Sequence, residues 1–321
     1  MRKATILFNP NSGRGRHRKD RELDLAIGII QSAGVHADLT VCRSSHEAKI
    51  HARYAVAAGS DTVFACGGDG TIHDVIQELA GTPVALAILP FGTANALAHD
   101  LGLPLRPSEA ARVAVNGVVR RFPLGRVEYE DFEGTPASRY FTVAAGIGVD
   151  AHLFYKLTSG LKNNSGMGAY YVKAWQLWAT YNMRRFEVEW SNGNGHKQQA
   201  LLTELLAVRI RFFGNVLREL VPGASLELPD LRAVMCRTTS RGAYLQYVAA
   251  ALLGWRERKV EGIDLVSCSE IICRLPEAVR AAAGHDERVY LEADGELLGR
   301  LPVRMTMQAD ALSLVVPATR N

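Results

Sequence analysis

The chain has 321 residues, and at roughly 150 residues per domain this length predicts two domains. Its hydrophobic content of 48% and charged content of 22% are typical of a globular protein, and a net charge of +4 is too small to indicate a nucleic-acid partner. Five scattered cysteines without a CxxC pair or a histidine cluster argue against a zinc site and predict buried, reduced thiols.

The lengths of the apolar segments indicate the expected cellular location of the protein. The N-terminal apolar run is too short for a signal peptide, and no later run approaches the roughly 20 apolar residues that cross a bilayer. We therefore expect a soluble, cytoplasmic protein. Peripheral contact with the inner membrane surface stays open.

Strands and helices alternate through the first 90 residues. Strands are predicted at residues 4–8, 37–41, 62–66 and 84–89, and helices at 21–33, 47–58 and 71–80. The run 84–89 is apolar throughout, which is typical of a parallel strand buried on both faces. The alternation predicts an α/β domain with a parallel sheet at residues 1–123.

After a short helix at residues 108–115 the pattern becomes β-rich. Strands are predicted at residues 140–143, 186–190, 231–236, 263–268, 289–292 and 303–307. Several of these segments alternate apolar and polar residues, which predicts an antiparallel β-sandwich or barrel at residues 124–310. One helical insert is predicted at about 168–183.

Three strands of the first domain each end in a turn rich in glycine or polar residues, and each turn leads toward a helix. The turns are FNPNSGRG, CGGDGT and LPFGTAN, and their candidate binding residues are Asn9, Ser12, Gly13, Gly67, Gly68, Asp69, Gly70, Thr71, Thr93 and Asn95. Ligands of open α/β sheets bind at the carboxyl ends of the strands, where glycines let the backbone approach an anion and helix N–H groups point at it. We therefore expect a nucleotide here.

Each turn also has a plainer interpretation. Asp69 offers a carboxylate to Mg²⁺ or a reacting hydroxyl, and Thr71 can bind a phosphate oxygen, but a tight turn with a capping residue has the same sequence. Thr93 and Asn95 can bind phosphate or adenine, or cap a helix. The cations that follow the first turn can bind phosphate or lipid head groups, or lie in a solvated loop; they are Arg14, Arg16, Arg18 and Lys19.

Later segments carry two further signals. Asp294 and Gly295, between alternating runs, are typical of a hairpin turn, and the hairpin would carry Asp294 and Glu296 to the domain interface as a general base or metal-organising group. An aromatic band on the helical insert, and Trp255 after an apolar run, indicate either core packing or contact with acyl chains or a membrane interface. The band comprises Tyr170, Tyr171, Trp175, Trp178 and Tyr181.

The motifs FNPNSG, GGDGT, LPFGTAN and a late DGE, in this order, resemble the diacylglycerol kinase catalytic-domain family, which includes bacterial lipid kinases and sphingosine kinases. The resemblance implies an N-terminal domain like those of phosphofructokinases and NAD kinases, a C-terminal β-sandwich, and a last strand that returns to the first domain at residues 311–321. It also implies that ATP with Mg²⁺ donates its γ-phosphate to a lipid hydroxyl.

Motif matching assigns roles by position. Asn9, Thr93 and the GGDGT residues would hold the nucleotide, and Glu296, supported by Asp294, would accept the hydroxyl proton. Whether Asp69 shares the role of base stays open. A metal-binding segment of the family is reduced here to Pro229-Asp230-Leu231, which leaves Asp230 as a weak metal candidate.

Other positions depart from the family pattern. His73 and Asp74 replace an Asn-Glu pair, Ala96 stands where Asp is frequent, and Cys42 stands where Thr is frequent. The alternatives are an NAD kinase-like enzyme, since NAD kinases share the GGDGT turn, and a nucleotide-binding regulator without kinase activity. The lipid and the oligomeric state cannot be read from the sequence.

Overall fold

A computed structural model describes residues 1–13, 16–149, 151, 180, 182–192, 196–213, 217–255, 259–277 and 289–318. The chain divides into two compact units. Unit 1 comprises Met1–Leu124, Phe212–Val216 and Gln308–Asn321, and unit 2 comprises Gly125–Arg211 and Leu217–Met307.

Unit 1 contains a parallel sheet with helices. Its strands are β1 (Lys3–Phe8), β2 (His36–Val41), β3 (Thr62–Gly67) and β4 (Ala85–Pro90), and its helices are α1 (Arg16–Ser32), α2 (Ser45–Ala57), α3 (Asp69–Leu79), α4 (Ala96–Asp100) and α5 (Pro107–Val115). Strand order is β2-β1-β3-β4, all parallel, and the late residues Ser313 and Leu314 add a further parallel pairing beside β4. The predicted α/β class is confirmed.

Burial explains why this sheet forms. Every residue of β3 and β4 is buried, as expected for parallel strands covered on both faces. Helix α3 buries Ile72, Val75, Ile76 and Leu79, which recur at helical spacing. Phe8 is the last residue of β1, and Phe91 is the first residue after β4. Their aromatic rings pack edge to face, with centroids 5.4 Å apart.

Unit 2 is mainly antiparallel. The remaining strands of the chain are β5 (Val118–Glu130), β6 (Pro136–Phe141), β7 (Ala144–Gly148), β8 (Phe186–Ser191), β9 (Lys197–Leu202), β10 (Glu204–Val208), β11 (Phe212–Phe213), β12 (Leu217–Arg218), β13 (Leu231–Cys236), β14 (Ile263–Cys268), β15 (Glu270–Arg274), β16 (Tyr290–Ala293) and β17 (Glu296–Val316), and helix α6 is Arg241–Leu252. One run of neighbours is β14-β13-β10-β7-β16-β17, and another is β9-β8-β15-β17. The predicted antiparallel class is confirmed.

The core of unit 2 follows the strand alternation. In β8 the side chains of Phe186, Val188 and Trp190 are buried, while the residues between them are exposed or half-buried. These three residues belong to one cluster with residues of β7, β10, β13 and β17, among them Ile147, Leu205, Met235 and Met305. Alternation of this kind is the pattern from which the β-rich half was predicted.

Some predicted elements differ from the structure. The hairpin at Asp294 and Gly295 is confirmed, since both have positive φ (52° and 79°) between β16 and β17. The strand predicted at residues 140–143 is wrong, because β6 ends at Phe141 and β7 begins at Ala144. The predicted helix at 168–183 lies almost entirely outside the described residues, and all five residues of its aromatic band do so. Among the described residues, none of the helices has the length and apolar character needed to cross a membrane.

Candidate functional site

The three glycine-containing turns meet in unit 1. The side-chain amide of Asn9 donates to Thr71 Oγ1 at 2.8 Å, which joins the turn after β1 to the start of α3. The N–H of Gly68 donates to Ser12 Oγ at 3.1 Å, a second link between the same two turns. The N–H of Phe91 donates to the carbonyl of Gly67 at 2.9 Å, which places the start of the turn after β4 beside the end of β3. The strand order places these turns at adjacent carboxyl ends.

Glycine is required where these turns touch. A Cβ on Gly92 would lie 2.6 Å from the Cα of Gly68 and 2.7 Å from Asn95 Oδ1. A Cβ on Gly67 would lie 2.6 Å from the Cβ of Thr71. A side chain on Gly92 would push apart the turns after β3 and β4, and one on Gly67 would displace Thr71 at the start of α3, so glycine at both positions accounts for the close packing.

Helix α3 presents free N–H groups at this junction. It begins after Gly68, which has no side chain to cap it. The N–H groups of Asp69, Gly70 and Thr71 are in the first helical turn and therefore have no intrahelical acceptor. Such groups, together with the helix dipole, favour an anion. The site can thus hold phosphate oxygens by main-chain contacts.

Two residues that were predicted to bind the nucleotide also make hydrogen bonds that shape the third turn. Asn95 is buried in the left-handed conformation (φ 48°), and its side chain accepts from Gly92 N at 2.9 Å and donates to Gly92 O at 3.1 Å. Asp69 Oδ1 accepts the N–H of Ala96 at 2.8 Å, at the start of α4. Thr93, at the tip of the same turn, is exposed. Asn95 therefore fixes the turn, and Thr93 is the side chain that faces solvent.

Lys19 has a structural role that its sequence context did not reveal. Its ammonium group donates to the carbonyls of Pro10 and Ser12, both at 2.7 Å. The interpretation of this lysine as part of a solvated loop is therefore wrong. Because it binds carbonyl oxygens of the turn, Lys19 keeps that turn closed against α1. No sequence pattern identifies a carbonyl-binding lysine of this kind.

Polar groups that depart from the family pattern are buried beside the site. Asp74, on α3, forms an ion pair with Lys49 of α2 at 3.3 Å, and its neighbour His73 is also buried. Cys42 follows β2 and is fully buried, and burial raises the pKa of its thiol to about 11. All five cysteines are free and buried, which confirms the predicted burial of these thiols.

In unit 2, Asp294 anchors the hairpin. Its carboxylate accepts the backbone N–H groups of Thr142 (2.9 Å), Val143 (2.8 Å) and Ala144 (3.1 Å). This is the segment where β6 ends and β7 begins. The carboxylate of Asp294 therefore stabilises the break between these strands. The same hydrogen bonds fix the hairpin that carries Glu296.

Glu296 is held by an arginine that the sequence analysis did not single out. Arg139 Nη2 and Glu296 Oε2 are 2.6 Å apart. The side chain of Arg139 is only 9% exposed, whereas that of Glu296 is 55% exposed. A nearly buried guanidinium thus orients a carboxylate that solvent and ligands can reach. Arginine at an alternating position of β6 gives no sequence signal for this role.

The weak metal candidate Asp230 is already paired. Its carboxylate lies 3.0 Å from Arg232 Nε and accepts the hydroxyl of Ser267. Within the part of the chain that the structure describes, no three His, Cys, Asp or Glu side chains come together as a metal-binding group. A protein-only metal site is therefore not formed by these residues.

Unit 2 also contains an apolar cavity of about 210 Å³ under helix α6. Tyr244, Tyr247 and Val248 of α6 line one side, and its further lining includes Val149, Leu206, Val234 and Ile263. Polar groups of the lining have partners: Tyr244 Oη lies 2.8 Å from Thr203 Oγ1, Tyr247 donates to the carbonyl of Leu220 at 2.7 Å, and the carboxylate of Glu204 accepts the N–H of Val149. Burial raises the pKa of the Tyr244 hydroxyl. The cavity suits a hydrocarbon ligand.

Comparisons with known proteins agree on one family. Residues 3–127 match the family model "Diacylglycerol kinase catalytic domain", a range that contains all three turns. A diacylglycerol kinase of Bacillus subtilis (strain 168) is 27% identical over 320 residues, covering 99% of this chain and 97% of the relative. One of Staphylococcus aureus (strain bovine RF122 / ET3-1) is 28% identical, covering 94% and 89%.

A solved structure supports the fold. The crystal structure of a diacylglycerol kinase from Bacillus anthracis (strain Sterne) aligns with a TM-score of 0.70 at 17% identity, covering 98% of this chain and 96% of that one. At this level of identity the likeness concerns the fold alone.

Proposed function

We propose that the chain, whose residues 3–127 match the diacylglycerol kinase catalytic domain, is a lipid kinase that transfers the γ-phosphate of ATP, with Mg²⁺, to the hydroxyl of a membrane lipid. The acceptor is an alcohol, in keeping with the family. Diacylglycerols, sphingoid bases and related lipids are the acceptor classes that the proposal includes.

One observation carries the proposal: the close packing of the three turns around the start of α3. A Cβ on Gly92 would clash with the Cα of Gly68 in the neighbouring turn, and a Cβ on Gly67 would clash with Thr71 at the start of α3. The family match covers these turns. Their arrangement supports a phosphate-binding site made mainly of backbone, as expected for a nucleotide at the carboxyl ends of parallel strands.

The proposed phosphate contacts follow from this geometry. The N–H groups of Asp69, Gly70 and Thr71 bind phosphate oxygens, and Thr93 adds a hydroxyl from the third turn. When bound, Mg²⁺ neutralises charge on the phosphate oxygens. Asp69 is the carboxylate that would hold it, because Mg²⁺ in kinases is bound by one or two carboxylates together with substrate phosphates. A protein-only cluster is not needed for such a site.

The proposed proton acceptor is Glu296. Its exposure and its ion pair with Arg139 give a carboxylate with a fixed direction, as a general base requires. Asp294 acts indirectly, because its hydrogen bonds to the backbone fix the hairpin that carries Glu296. Asp69 is the second candidate for the base, and substitution of each carboxylate in turn separates the two.

The apolar cavity under α6 supports a lipid as the acceptor. It is lined mainly by aliphatic and aromatic side chains and has a volume of about 210 Å³. Hydrocarbon chains enter such cavities because apolar surface is removed from water. We propose that part of an acyl or alkyl chain binds here, and that the protein contacts the membrane to reach its substrate.

The test is direct. The purified chain is incubated with γ-labelled ATP, Mg²⁺ and vesicles of mixed lipid extract, and parallel reactions contain NAD in place of lipid. We expect label in an organic-soluble product whose mass identifies the lipid. Glu296→Ala should abolish product while ATP still binds. Tight ATP binding without product from any lipid class, or label on NAD, would refute the proposal.

A further inference from the structure

Helix α6 and the residues after it carry an apolar surface that faces solvent. Leu245, Val248 and Leu252 recur at spacings of three and four residues, so they form one stripe along the helix. Leu253 and Trp255 follow the helix end and are also exposed. The exposed fractions of Leu252, Leu253 and Trp255 are 53%, 65% and 60%. These five residues are called the α6 surface below.

The fold itself does not require this surface to be apolar. The opposite side of α6 buries Tyr247, Ala250 and Ala251. Surface helices normally carry polar residues on the side that faces water, so α6 is unusual in being apolar on both sides. A contiguous group of large exposed apolar side chains marks a surface that binds a partner.

Charge in this part of the sequence favours an anionic partner. From Arg237 to Arg256 the chain contains three arginines and no aspartate or glutamate. Arg258 and Lys259 follow, with Glu257 as the only acid among residues 255–259. Apolar helical stripes that end in tryptophan and basic residues bind at the boundary between anionic head groups and acyl chains.

We propose that the α6 surface docks on an anionic lipid bilayer. The proposal rests on the proposed function, since a lipid acceptor has to be reached in the membrane. Val248 favours a bilayer over another partner, because it is 40% exposed and also lines the apolar cavity. The docking surface and the cavity therefore share a side chain, so a lipid at the surface lies next to the proposed binding cavity. At twelve residues, α6 lies on the bilayer and does not cross it.

Vesicle binding tests the proposal. The variant Leu252→Ser/Leu253→Ser/Trp255→Ser leaves the cavity lining intact, and its matched control, Val119→Ser/Leu201→Ser, removes exposed apolar side chains from other elements. Flotation with vesicles of phosphatidylglycerol and phosphatidylcholine should show partitioning of the wild type and the control. The triple variant should partition at least about tenfold less. Raising the salt concentration or omitting phosphatidylglycerol should weaken wild-type binding.

Two further measurements separate the possible failures. Quenching by brominated lipids should be seen in the wild type and reduced in Trp255→Phe, which keeps an apolar side chain. Activity on a short-chain lipid dispersed in detergent should be the same in the triple variant and the wild type. Activity absent on every lipid would refute the proposed function while leaving docking testable. Equal flotation of the triple variant and the wild type would refute docking.

Discussion

The substitution Gly70→Ala tests whether glycine at this position is required by the fold or by a bound phosphate. Gly70 lies in the first turn of α3 with no positive φ, and a Cβ there would meet nothing within 4 Å. The folded chain therefore gives no reason for glycine at this position. In a helix, alanine is more favourable than glycine by about 0.5–1 kcal/mol. We expect the substitution to stabilise the protein and to raise Tm by about 1–4 °C.

The same methyl group should weaken nucleotide binding. A Cβ in the first helical turn leans toward the helix N-terminus, which is where the N–H groups of Asp69, Gly70 and Thr71 would meet a phosphate. Loss of one hydrogen bond to a charged group costs about 1.5–3 kcal/mol. We therefore expect the Kd for ATP to rise roughly 10- to 150-fold.

The matched control is Gly28→Ala. Gly28 lies inside α1, and a Cβ there also meets nothing within 4 Å. It should raise Tm to a similar extent and leave ATP binding unchanged. Thermal unfolding by circular dichroism and titration calorimetry with ATP and Mg²⁺ measure the two effects. A Gly70→Ala protein that binds ATP as tightly as the wild type would refute the phosphate-binding role of this turn.

Three more substitutions or reagents test other parts of the account. Gly92→Ala places a Cβ 2.6 Å from the Cα of Gly68, so it should destabilise the protein by about 1–3 kcal/mol, seen as a lower urea midpoint. Arg139→Met should lower kcat by tenfold or more with little change in the KM for ATP, because it frees the carboxylate of Glu296; Arg139→Lys should recover part of the loss, and an unchanged kcat in both would contradict the positioning role. Burial raises the pKa of Cys42 to about 11, and its thiol and the other four should resist Ellman's reagent at pH 8 until urea is added; rapid labelling of the native protein would contradict their burial.

The N-terminal fold could be predicted because its signals are local. Strands β3 and β4 are apolar without interruption, and the turns that end them carry glycine. Helix α1 begins at Arg16, five residues before its predicted start, because the polar run that opens the helix has no apolar period to reveal it. A helix was expected after the third turn, but the bounds of the five-residue α4 were not predicted, since it is too short to show a period.

The β-rich half was harder because distant residues decide its breaks. The break between β6 and β7 is held by the carboxylate of Asp294, about 150 residues away in sequence, and no local pattern shows it. Strand β9 was not predicted because most of its residues are polar or exposed. Pairing with β8 defines it instead.

In the candidate site, too, local features could be predicted and contacts between distant residues could not. The turns were found from glycine spacing, but the roles of individual side chains depend on contacts between turns. The hydrogen bonds of both polar side-chain atoms of Asn95 to Gly92 could not be read from the sequence, and the prediction that Asn95 binds the nucleotide stays a prediction. Lys19 and Arg139 act through partners that only the fold brings near.

Hydrogen exchange with and without nucleotide tests the central claim most directly. Peptides covering residues 8–13, 67–72 and 91–95 are followed by mass spectrometry in saturating Mg²⁺ and a non-hydrolysable ATP analogue. We expect all three segments to gain protection together, because their backbone N–H groups lie at one binding site. Saturated nucleotide binding with exchange unchanged in these three segments would contradict the account.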